Sequence, residues 1–104
     1  MRIFELLEEF KEKLEKEFGD LIYKLYLFGG YARGSYTENP DIRIAVIVKR
    51  KLIKSEWEKM ETIALNIGRK YEESFCIVEI EADKFESEKS PLAKLVKREG
   101  YEIK

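Results

Sequence analysis

The chain has no histidine, no glutamine, two asparagines, two prolines and a single cysteine among 104 residues. Without histidine and with one thiol, a zinc site and any imidazole general base are excluded. Carboxylates, phenols, lysines or the backbone must carry whatever chemistry exists. The lone Cys76 cannot form an intramolecular disulfide, so nothing points to secretion, and inside the apolar run around it the residue reads as a small buried hydrophobe. No stretch approaches the apolar length that spans a membrane, and the first residues show no basic region followed by an apolar core. A cytoplasmic protein is the expectation. The net charge is only -1, from 20 Lys plus Arg against 21 Asp plus Glu, which argues against direct DNA binding. Oligomeric state is left open by the sequence, a homo-oligomer included.

What is present is 44% apolar and 39% charged residues, enough for one core, so a single domain over residues 1–104 is expected. Glu and Lys dominate the charged set and glutamine is missing, a lean shared with hyperthermophile proteins. A thermophilic source is therefore expected.

Periodicity divides the chain into alternating elements. Ile3, Leu6, Leu7, Phe10, Leu14 and Phe18 fall at helical spacing and Gly19 follows as a left-handed cap, which predicts a helix over about residues 2 to 18. The aromatic-rich run Leu21 to Phe28 reads as a buried strand ending at Gly29-Gly30. Residues 29–40 read as a loop or short helical turn. Ile42, Ile44, Val46 and Val48 then alternate with Asp41, Arg43, Ala45 and Ile47 in a second strand. Ser55-Glu56-Trp57-Glu58 predicts a capping box opening a helix over about residues 56 to 72, and Gly68 within it suggests close packing. Phe75 to Glu81 reads as a third strand, with Cys76, Val78 and Ile80 on one face and Ile77, Glu79 and Glu81 on the other. Ser90-Pro91 starts a last helix that Gly100 ends. The class is α/β or α+β, a small mixed sheet of three to four strands with helices packed on it. The short link between the first two strands leaves their relative direction open.

One stretch carries chemistry. Amides after a glycine pair can approach an anion closely, because no side chain intervenes, so Gly29 and Gly30 are candidate phosphate ligands, with Arg33 and Ser35 beside them. Carboxylates two residues apart on a strand, with a third on a neighbouring strand, would hold the cations that phosphoryl or nucleotidyl transfer needs. Asp41 and Glu79 fit the first and third of those positions, as candidate catalytic and metal-binding residues. Residue 43, which shares a face with Asp41, is arginine. A glycine pair by itself also marks an ordinary tight turn, and Glu79 with Glu81 also reads as a solvated sheet face.

The stretch from Phe28 to Val48, with its Gly-Gly, the Ala32-Arg33-Gly34 run and the strand after Asp41, resembles the signature of the minimal nucleotidyltransferases of the DNA polymerase beta superfamily. Val78-Glu79-Ile80 resembles that family's third-carboxylate strand, and Pro91 to Ile103 its C-terminal helix and tail, so the likeness covers essentially the whole chain. The resemblance implies the nucleotidyltransferase fold, magnesium with ATP or another nucleoside triphosphate, or no cofactor where activity has been lost. It also implies a HEPN-domain toxin as partner, with this chain as the antitoxin-like member. The active form of the family transfers a nucleoside monophosphate to a protein or small-molecule acceptor. Arg43 departs from the pattern, since it stands where the family has its second aspartate. A guanidinium about 5 Å from a divalent ion, at an effective dielectric near 20, repels it by roughly 7 kcal/mol before screening. The sequence reading therefore expects impaired transfer, with Arg43 drawn instead to Asp41 and Glu79.

Overall fold

The computed structural model describes residues 3–30 and 42–104. Helix α1 (Ile3–Phe18) leads through a 3-10 turn (Gly19–Leu21) into β1 (Ile22–Phe28). Then follow β2 (Arg43–Val48), α2 (Lys54–Tyr71), β3 (Cys76–Glu81), a short α3 (Ala82–Glu86), α4 (Pro91–Glu99) and β4 (Tyr101–Glu102). Among the described residues no helix is long and apolar enough to cross a membrane.

The four strands form one mixed sheet in the order β3-β2-β1-β4. β1 runs antiparallel to both β2 and β4, whereas β2 and β3 are parallel. The parallel pair requires a crossover too long for a hairpin, and α2 supplies it. Each face of the sheet has its own apolar cover. Leu25, Leu27, Ile44, Val46 and Val48 pack with Leu6, Phe10 and Leu14 of α1 and Met60 and Ile67 of α2. On the opposite side Tyr26, Phe28, Ala45, Ile47 and Ile80 pack with Phe85 of α3 and Ala93 and Val96 of α4. Burial on both faces explains why β1 and β2 end in unbroken apolar runs rather than alternating ones.

Local signals hold in most places and fail in two. Gly19 takes φ +56, and Ser90 Oγ accepts from the Ala93 amide at 3.1 Å with Pro91 in the first turn, as expected. The start of α2 differs. Ser55 lies inside the helix and Ile53 is the N-cap, with Glu56 rather than Glu58 reaching back to accept from the Ile53 amide at 3.0 Å. Glu56 is recruited because Arg50 holds the same carboxylate from outside the helix, with both guanidinium nitrogens at 2.9 Å. Cys76 is exposed rather than buried, because it is the first residue of an edge strand.

Candidate functional site

Of the expected site residues, Gly29 and Gly30 stand where β1 ends, and Arg43 opens the strand beside it. Gly29 adopts φ +92, a backbone conformation that L side chains rarely take, so the chain leaves the sheet through a turn that glycine alone accommodates without strain. Phe28, the residue before it, is the antiparallel partner of Arg43, and Arg43 is the parallel partner of Cys76. Strand partners share a face, so Phe28, Arg43 and Cys76 form one row across three strands on the α3–α4 side. Phe28 is buried in the core of that side, while Arg43 and Cys76 are exposed. The Cys76 amide donates to Ile42 O at 3.1 Å and fixes the parallel register at this end.

Glu79 does not join the row. It pairs with Val46, which belongs to the opposite core, and stands three residues, roughly 10 Å, further along the strand. Its carboxylate Oε2 accepts from the Leu52 amide at 2.7 Å, tying the β2–α2 connection to the sheet edge. The register thus corrects the expectation that Arg43 would draw Glu79 toward it, since the two leave the sheet on opposite faces. Arg33, Ser35 and Asp41 lie outside the described residues.

The residue that sequence reasoning overlooked is Cys76. Its face is readable from Val78 and Ile80, but its level against Arg43 depends on the β2–β3 register, which the α2 crossover sets and no local pattern announces. Magnesium takes hard oxygen ligands in near-octahedral geometry. Arg43 presents donors and no lone pair, and Cys76 presents a soft sulfur. These two side chains do not fit a magnesium seat. Among the described residues no three His, Cys, Asp or Glu side chains converge as a metal-holding group.

A glycine turn off one central strand, the entrance of an antiparallel neighbour beside it, and a mixed sheet covered by helices on both faces define the nucleotidyltransferase class of fold. Residues 7–98 match the nucleotidyltransferase domain family, and the chain belongs to it. A relative from Methanocaldococcus jannaschii, provisionally named protein adenylyltransferase MJ0141, is 35% identical over 72 residues, spanning 69% of this chain and 73% of that protein. Among solved structures, a toxin-antitoxin crystallised with AMP-PNP aligns over 93% of this chain and 72% of its own, with TM-score 0.61 and 23% identity. A chain from the complex of tri-AMPylated Shewanella oneidensis HEPN toxin with MNT antitoxin aligns over 97% of this chain and 71% of its own, with TM-score 0.54 and 20% identity. At these identities the structural likeness speaks for the fold.

Proposed function

We propose that this chain is the antitoxin-like partner of a HEPN-type toxin, acting in the cytoplasm, and that its metal-dependent nucleotidyl transfer is impaired by Arg43. Arg43 carries the reading. It is the first residue of β2 and lies directly across from the strand end that feeds the Gly29 turn, so a fixed positive charge faces the place where a family member would neutralise a triphosphate with cations. Two fold neighbours, both toxin-antitoxin assemblies and one a HEPN complex, support the choice of partner. In this reading Gly29 and Gly30, with Arg33 and Ser35, grip nucleotide phosphates, and Asp41 is the carboxylate left to the impaired cation site.

The second reading is an active transferase that moves AMP or another nucleoside monophosphate to an acceptor, using Asp41 and Glu79 with magnesium. The name of the 35%-identical relative favours it, and the placement of Glu79 on the far face of the sheet counts against it. The two readings separate in one experiment on a HEPN-domain protein encoded by a neighbouring reading frame. Co-expression should suppress toxicity equally well with the unaltered chain and with Asp41→Ala, and no labelled AMP should appear on the partner. Magnesium-dependent labelling that Asp41→Ala abolishes would overturn the proposal in favour of the enzyme.

A further inference from the structure

Resting on the proposal that Arg43 spoils the cation seat, we infer that the seat is dismantled at residue 76 as well. Cys76 occupies the place that a third carboxylate would need, so replacing Arg43 alone cannot rebuild it.

Geometry leaves little choice of position. A side chain on β3 that shares a cation with residue 43 must leave the same face of the sheet at the same level. Cys76 satisfies both conditions, being the Cα partner of Arg43, with neighbouring strands spaced about 5 Å apart. The next β3 residue on that face, Val78, is level with Ala45, and Ile80 with Ile47; both are apolar and pack in the α3–α4 core. Glu79 and Glu81 leave the other face, level with Val46 and Val48. Glu79 is further committed to the Leu52 amide. Neither carboxylate can turn around the edge strand to reach residue 43 without breaking the register that Cys76 N and Ile42 O hold.

The row therefore has a guanidinium and a thiol where hard oxygen ligands would sit. Both residues are exposed, so aspartates there empty no core. Rebuilding is a two-residue problem: aspartate at 43 removes the repulsion but supplies only part of the ligand set, and aspartate at 76 leaves the repulsion in place.

Manganese, read by electron paramagnetic resonance in the presence of a non-hydrolysable ATP analogue, is the probe. The unaltered chain, Arg43→Asp and Cys76→Asp should each bind it roughly tenfold or more weakly than the double variant Arg43→Asp/Cys76→Asp, since lost ligands and their supports cost at least that factor. Adding Glu79→Gln to the double variant should leave its manganese affinity unchanged. If Arg43→Asp alone matches the double variant, or the folded double variant gains no manganese, the assignment of Cys76 fails while the reading of Arg43 as an obstacle stands or falls on the single variant. If the unaltered chain binds as tightly as the double variant, both fail. A measurement without the double variant bears on the same point: strong magnesium-dependent thermal stabilisation of the unaltered chain by the analogue, lost in Glu79→Gln, would overturn the inference.

Discussion

The carboxylate of Glu79, on β3, accepts a hydrogen bond from the backbone amide of Leu52, in the connection between β2 and α2, at 2.7 Å. Leu52 is buried, so this amide has little water to turn to when its acceptor is removed. Glu79→Ala should cost about 1–3 kcal/mol in a urea unfolding titration, the range for a buried donor left unsatisfied. Glu79→Gln keeps an oxygen acceptor and should cost less. Equal losses from the two variants would show that the side chain contributes by packing instead.

Gly68 sits in the last turns of α2, where the chain closes back on itself through Glu72 in the left-handed conformation and the Glu73 amide donates to Gly68 O at 2.9 Å. A Cβ placed at residue 68 would lie 2.6 Å from the Glu73 carbonyl oxygen, a backbone atom that cannot rotate aside. Alanine gains roughly 1 kcal/mol of helix propensity over glycine. Relieving the clash requires moving the cap, and overpacking of this kind costs about 1–3 kcal/mol. Gly68→Ala should therefore be neutral to destabilising by about 2 kcal/mol, despite its better intrinsic helicity, in chemical denaturation. A gain in stability would mean that the cap relaxes at little cost.

The elements readable from sequence are those whose own side chains declare a period. The α1 stripe from Ile3 to Leu14 faces one large apolar core, so local pattern and burial agree, whereas β2 is legible by the unbroken apolar run from Ile44 to Val48, which is buried on both faces of the sheet. The short α3 has no such signal, because five residues hold too few turns to show a period, and its place is set by one buried side chain, Phe85. β4 reads as a tail in the sequence, being only two residues held by pairing with Tyr26 and Leu27. The candidate site divides in the same way. The glycine turn and the anomaly at Arg43 are visible in the chain itself, whereas the pairing of Arg43 with Cys76 and the placement of Glu79 on the opposite face depend on a parallel register between strands separated by a whole helix.

Phe85 shows how much rests on that unannounced helix. Its ring is buried against Tyr26 at a centroid distance of 5.1 Å and belongs to the core that covers the Arg43 face of the sheet. Phe85→Ala should cost about 3–5 kcal/mol, as large aromatic truncations in cores do. Small domains keep only about 5–15 kcal/mol in total, so the variant should melt well below the unaltered chain by calorimetry. A loss under about 1 kcal/mol, no more than removal of a single core methylene costs, would show that α3 and α4 contribute little to the folded core.

Acid should weaken the start of α2. The Glu56 carboxyl is held down to about 2, first by its paired hydrogen bonds from Arg50 and then by the Ile53 amide. Because the folded value lies below the ordinary one, folding favours the ionised form, and this contribution is complete above the unfolded value near 4.5 and is lost as pH falls toward 2. Glu56→Gln should accordingly lower the melting temperature at pH 6, and the gap from the unaltered chain should shrink at pH 3. The pair is at the surface, so raising the salt concentration at pH 6 should narrow the same gap by screening. A gap that stays constant from pH 6 to pH 3 would mean that the carboxylate's charge does not hold this cap, leaving the shape of the side chain as the source of its effect.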